Sequence, residues 1–380
     1  MSSFALYRLP YGREATLVRQ LEGDPRQLDS WRDLNGKSGF VVAPFAISES
    51  CPLLLISPDS VSEFPLEDDS TIHISDLVED SPVSARHVSE EESYAHDFRV
   101  FHDELCAGRF RKLVLSRCSE LPVKGGDVDA VGLFRQACLS YPRLFISLVY
   151  TPQSGLWLTA TPEILLESIP STRPDGVGEA WRTIALAGTM PLSEQAASDA
   201  EVAAAARWSA KDIEEQRLVA SYIADCLHRF SDDVREDGPR TVRAAHLLHL
   251  RSDFTFTLSP RAGVGDLLQA LHPTPAVCGL PKEEAFQFIQ THEHTPRRYY
   301  SGFMGPINVN ANENDNENKN ENERRSTHLY VTLRCMELSA ACCRLYAGGG
   351  LLKESSEQSE WQETEAKLDT MRRLLPPFEP

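Results

Sequence analysis

The chain has 380 residues, enough for about two to three ordinary domains or one large α+β domain, and a hydrophobic share of 41% supplies a core. A net charge of −18 argues against a nucleic-acid partner, because duplex binding needs clustered Lys and Arg to neutralise phosphates. Nine cysteines, an odd number without a C-x-x-C pair, argue against a disulfide framework and a zinc ribbon.

In chain order, the N-terminus MSSFALYRLPYGREA has no apolar run after a basic start. No later stretch reaches the ~18 apolar residues of a membrane span. A cytoplasmic protein without a membrane partner is expected. Residues 1–91 mix short apolar runs (GFVVAPF, PLLLIS) with acidic and Pro- and Ser-rich loops and carry no motif. They are read as a variable N-terminal part of the same fold, with the functional region at 92–380.

From residue 92, strand-like runs appear: KLVLSRC, RLFISLVY, GLWLTA, TIALAGT, DFTFTL, HLYVTLRCMEL and CRLYAGGG. They are β-branched, aromatic and Leu-rich, and are bounded by Gly, Pro or polar residues. Cys342 and Cys343 read as strand residues. SAKDIEEQRLVASYIADCLHRF spaces Ile213, Leu218, Ile223 and Leu227 near helical period, and Ser209 with Asp212 resembles a capping box. PKEEAFQFIQ places Pro281 at a first helical position. A closing helix is expected from about Ser359 to Leu375, capped by Ser359 with Gln362. The irregular order of elements fits α+β better than repeated βαβ units. The Asn- and Glu-rich stretch at 308–325 cannot bury a core and reads as a hairpin-tip insertion.

In the closing helix Glu360, Glu363 and Lys367 share one face, as do Asp212 and Glu215 in the helix that opens at Ser209. Either pair alone reads as a solvated face. Together, two helices with paired carboxylates are what an oxygen-ligated Mg²⁺ needs. Gly348, Gly349 and Gly350 in LYAGGGLL lack the Gly-Lys-Ser/Thr of a nucleotide loop and read as a turn, with anion contact as the alternative. In LHPTPAVCG two prolines stiffen the backbone around Thr274 and Ala276. His292 and His294 in THEHTP are i, i+2 and point apart on a helix, which argues against a shared metal. His249 reads first as a packed histidine.

KLVLSR, TATPEILLE, LAGT, SAKDIEEQ, HLRSD, LHPTPAVCG, RRYYSGFMG, VTLRCMEL, LYAGGGLL and SEWQETEAKL occur in one order that resembles the chorismate-utilising enzymes, and within them the isochorismate synthases. The resemblance covers about residues 92–375. It implies a single large α+β domain of two packed antiparallel sheets with outer helices. It also implies Mg²⁺, no organic cofactor, and the conversion of chorismate to isochorismate, with water adding at C2 and the C4 hydroxyl leaving. A monomer or weak dimer is expected. The product would serve menaquinone, siderophore or salicylate synthesis.

By the same resemblance Lys112 is the base and Glu163 the acid. A basic Lys112 requires a pKa lowered by desolvation, and an acidic Glu163 one raised by burial. Glu215 and Glu363 match the direct metal ligands, with Asp212 and Glu360 acting through water. Gly188 and Thr189 match backbone contacts to the ring carboxylate. Tyr300, Arg334, Gly350 and Lys367 match a clamp on the enolpyruvyl carboxylate, and His249 and Ala276 complete the substrate-binding set. Two departures are Gln216, where the family usually has His, and Met190, where it has Arg. A salicylate or anthranilate-type synthase, or a non-catalytic chorismate- or metal-binding paralogue, remains as an alternative. Relatives that aminate the ring or expel pyruvate typically carry Thr at the position of Ala276.

Overall fold

The structure is a computed structural model and describes residues 3–67, 71–72, 89–122, 128–170, 179–192, 199–310, 325–340 and 342–375. The first strands are β1 (Phe4–Arg8), β2 (Ala15–Arg19), β3 (Arg26–Leu28), β4 (Gly39–Ala43), β5 (Leu53–Ile56) and β6 (Ser60–Phe64). Next come β7 (Lys112–Pro122), β8 (Phe145–Thr151), β9 (Gly155–Thr161), β10 (Ile164–Ile169), β11 (Ala180–Pro191), β12 (Arg235–Ala244) and β13 (Leu247–Thr257). The last are β14 (Gly279–Leu280), β15 (Phe303–Ile307), β16 (His328–Val331), β17 (Cys335–Leu338) and β18 (Cys342–Leu351). The helices are α1 (Glu90–Cys106), α2 (Ala130–Ser140), α3 (Asp199–Ala205), α4 (Ala210–Leu227), α5 (Val264–Leu271), α6 (Lys282–His292) and α7 (Glu357–Arg372).

Two antiparallel sheets result. One runs β14-β7-β18-β17-β9-β8-β1-β2-β6 and the other β12-β13-β11-β10-β16-β15-β4-β5-β3. The N-terminal strands enter both: β1, β2 and β6 extend the first sheet, and β3, β4 and β5 the second. Tyr7, Phe40, Phe145, Trp157 and Tyr330 fill the space between the sheets. Helices α2 and α7 cover the outer face of the first sheet and α4 and α5 that of the second, while α1 and α6 pack over β7. Strand β8 is therefore buried at every position, which explains its near-continuous apolar run.

Several local expectations shift. Ser209 and Asp212 form the reciprocal capping box of α4, but Ile213 is 55% exposed, while Leu218, Ile223 and Leu227 face the core. Pro281 is the residue before α6 rather than its first turn. The cap of α7 is Ser356, whose hydroxyl accepts from Ser359 N, so the helix starts a turn earlier than the Ser359–Gln362 pair suggested. All nine cysteines are free. Of the 308–325 stretch, 311–324 lie outside the described residues; Val309 and Ser326 bridge its ends.

Candidate active site

Two of the connections that carry the chain from one sheet to the other meet here. β9 passes to β10 through Pro162 and Glu163, and β16 passes to β17 through Thr332, Leu333 and Arg334. Val331 N donates to Glu163 O at 2.9 Å and Ala160 N to Arg334 O at 3.0 Å, which locks the crossings together. HLYVTLRCMEL is thus two strands in different sheets. The break falls at Arg334, whose φ of +42° cannot continue an extended run.

Glu163 is 3% exposed at this junction. Burial pushes its carboxyl up to about 7, against the opposing pull of Arg334, Lys112 and Lys367. Arg334 is also buried, and its Nη2 donates to His249 Nε2 at 2.6 Å. His249 Nδ1 in turn donates to Gly188 O at 2.8 Å, which fixes the tautomer. Burial, then Arg334 and Lys367, holds this imidazole well below its usual pKa and hence neutral.

Gly188 and Thr189 sit in a bulge. β11 pairs with β13 as far as Ala187↔Leu250 and resumes only at Met190↔Leu248. Gly188 has φ +68°, and a Cβ there would lie 3.2 Å from Asp212 Cβ. The two residues therefore leave the ladder where α4 crosses β11.

The glycine run is a strand, not a turn. Gly348, Gly349 and Gly350 pair with Ser116, Leu115 and Val114 of β7. What excludes side chains is the approach of charged groups from α4 and α7. A Cβ on Gly350 would fall 2.0 Å from Glu215 Oε1 and 2.9 Å from Lys112 Cε. On Gly349 it would fall 3.1 Å from Glu360 Oε2, and on Gly348 2.7 Å from the Tyr300 hydroxyl.

Each carboxylate over this floor has a lysine. Lys112 is fully buried with Nζ 3.0 Å from Glu215 Oε1, an ion pair by distance that lacks hydrogen-bond alignment. Lys211 pairs with Glu360. Lys367 Nζ donates to Glu363 Oε1 at 2.7 Å and to Gly348 O at 2.8 Å. Burial and the neighbouring Glu363 charge raise Glu360 to about 7, despite Lys211. Burial would raise Glu363 too, but Lys367, Lys211 and the Thr189 hydroxyl bring it below the usual range. The three carboxylates do not converge within 4.8 Å as a set, each being drawn to its own lysine.

A cavity of roughly 570 Å³, open solvent at its mouth included, is walled by Glu163, Glu215 and Glu363 together with Gly188, Thr189, His249, Ala276, Tyr300, Arg334, Gly350 and Lys367. Lys112 and Glu360 lie behind this wall, and Asp212 is spent on the α4 cap, its Oδ2 accepting from Ser209 Oγ at 2.6 Å. Gln216 Nε2 donates to Ala185 O at 3.2 Å and so ties α4 to β11 directly behind Glu215. Met190 is half-buried and off the cavity wall. On the apolar side of the cavity, Leu186, Val277 and Tyr346 lie within the runs LAGT, LHPTPAVCG and LYAGGGLL but are not singled out as site residues from sequence. Lys211 was also missed, although its i, i+4 offset from Glu215 places it on the same helix face.

A family model described as chorismate binding enzyme matches residues 66–376. The chain belongs to that family. It is 33% identical to the salicylate biosynthesis isochorismate synthase of Pseudomonas aeruginosa, over 70% of this chain and 51% of that protein. It is 32% identical to the vibriobactin-specific isochorismate synthase of Vibrio cholerae, over 74% of this chain and 65% of that protein. The matched region thus spans about half to two-thirds of these relatives' length. The putative 2,3-dihydroxybenzoate-specific isochorismate synthase DhbC from Bacillus anthracis superimposes with a TM-score of 0.76 at 23% identity, over 98% of this chain and 95% of that one, and so shares the fold.

Proposed function

We propose that the protein is an isochorismate synthase acting on chorismate with Mg²⁺ in the cytoplasm. One observation carries this reading: a buried carboxyl pushed up to about 7 and a buried arginine stand in one cavity with a lysine-partnered glutamate on a glycine floor. The substrate has two carboxylates, and the cavity offers cationic side chains for one and backbone groups for the other. Arg334, held by His249, and Lys367 suit the enolpyruvyl carboxylate, with Tyr300 beside them. The Gly188–Thr189 bulge offers backbone groups to the ring carboxylate.

The residues fit a hard cation at that end. Glu360 Oε2 is buried without a hydrogen-bond partner, and Gly349 and Gly350 leave room that a Cβ would fill. Glu215 and Glu363 would hold the ion, with Glu360 behind them; Mg²⁺ takes such oxygen ligands and when bound supplies charge neutralisation for the ring carboxylate.

In the reaction, Lys112 would act as the free amine and take a proton from the water that adds at C2, which requires Glu215 to release the ion pair it makes with Lys112. Glu163, protonated, gives its proton to the C4 hydroxyl, which leaves as water while the ring double bond shifts. One water enters and one departs, so the conversion is a reversible isomerisation. Ala276 places a methyl rather than a hydroxyl at the wall, which supports water as the only nucleophile and isochorismate as the end product.

Purified protein should consume chorismate with Mg²⁺, lose that activity in EDTA and regain it when Mg²⁺ is restored. Glu363→Ala should raise the Mg²⁺ requirement at least tenfold. Chorismate left untouched under every condition, or a Mg²⁺ requirement unchanged in that variant, would defeat the reading.

A further inference from the structure

The two histidines of THEHTP separate at the end of α6. His292 closes the helix, its Nδ1 donating to Phe288 O at 2.9 Å, whereas His294 lies beyond the cap and meets α1. There its backbone N–H donates to Asp97 Oδ2 at 3.0 Å and its Nδ1 bonds Asp97 Oδ1. The neighbouring His96 ring stands edge-on to His294, with centroids 5.1 Å apart.

Asp97 is only 3% exposed, yet both of its described hydrogen bonds come from His294, and no Lys or Arg pairs with it among the described residues. Buried carboxylates are normally paired with a full cation or bound to a metal. One donor atom of each of His96, Asp97 and His294 lies within 4.8 Å of the other two, the only such group of three among the described residues.

We propose that His96, Asp97 and His294 form a site for a divalent transition-metal ion of the Zn²⁺ type, separate from the chorismate cavity. Two imidazole nitrogens and one carboxylate oxygen suit such an ion, whereas Mg²⁺ prefers an all-oxygen set. Zn–N and Zn–O bonds of about 2.0–2.2 Å require His96 to draw in toward the Asp97–His294 pair, within reach of its exposed side chain by a rotamer change, with the ion displacing the proton that His294 shares with Asp97. Exposure of both histidines leaves a position for water. The ion would clip α1 to the segment after α6. Tyr94 on the same α1 packs edge-on against Trp361 of α7, so the clip would brace the helix that backs β7.

Calorimetric titration with ZnCl₂ in excess Mg²⁺ tests this on the intact chain, comparing wild type with His96→Ala, His294→Ala and Cys106→Ser. The last controls for an exposed thiol whose Sγ is 3.7 Å from His102 Nδ1. Wild type and Cys106→Ser should each bind one Zn²⁺ that both histidine variants bind about tenfold or more weakly, the scale on which even outer-shell losses act. A Zn²⁺-dependent rise in Tm should follow the same division. His96→Ala keeps the Asp97–His294 bond and should leave chorismate turnover unchanged, which separates metal loss from misfolding. Equal Zn²⁺ stoichiometry and affinity in wild type and His96→Ala, or loss of the site in Cys106→Ser, would overturn the proposal.

Discussion

Glu163 stands between opposing influences: burial favours the neutral carboxyl, while Arg334, Lys112 and Lys367 favour the charged one. Burial wins, and the group is set to about 7 from an ordinary 4.5. Because the folded pKa is raised, the stabilisation is full below the unfolded value and is lost as pH climbs through about 7. In the proposed mechanism the same ionisation removes the proton meant for the leaving hydroxyl, so kcat/KM should fall above about pH 7, and a flat profile from pH 6 to 9 would contradict the acid role. Glu163→Gln and Lys112→Ala should each lower turnover by about 100-fold or more, the lower scale of general acid–base loss, with Tm showing that the fold persists. Neither role was visible from composition. Each came from a motif match; burial of Glu163 supports its assignment, whereas Lys112 is buried in an ion pair with Glu215.

At the scale of elements, β18 is the part that brings the charges together. Its glycines admit Glu215 from α4 and Glu360 and Glu363 from α7 to the backbone of the strand. Gly350→Ala should therefore displace Glu215 and Lys112 together, reducing turnover and raising the Mg²⁺ requirement, whereas Gly349→Ala, with its nearest contact at 3.1 Å, should do less. Steady-state kinetics over a Mg²⁺ series measures both; equal, near-wild-type behaviour would mean that the floor has slack. The run GGG is legible as unusual but from sequence reads as a turn, because the reason for it lies in cross-strand partners at 114–116 and in two helices elsewhere in the chain. The shared faces of α4 and α7 were legible from i, i+3 and i, i+4 spacing alone. Asp212 shows the limit of that logic: the spacing is right, but its carboxylate caps the helix.

For the whole molecule, the cavity lies where two sheet-crossing connections meet and where helices from both outer layers reach inward. The α+β class and eight of the eighteen strands among the described residues were readable from short apolar runs. The six N-terminal strands were not, since their interleaving into both sheets depends on pairings such as β1 with β8 and β4 with β15. The break of one apparent strand at Arg334 was equally hidden, because no residue type there demands a positive φ. The fold thus builds a charge-lined cavity between the two sheets, and the proposed reaction asks it to hold a dicarboxylate and one water. The most direct measurement is product analysis in ¹⁸O-labelled water: chorismate incubated with the protein and Mg²⁺, in the presence of ammonium, then resolved by chromatography and mass spectrometry. Isochorismate carrying one ¹⁸O, in a reversible mixture with chorismate, is the predicted result. Predominant salicylate or anthranilate, or isochorismate without the label, would contradict water addition at C2 as the function of this site.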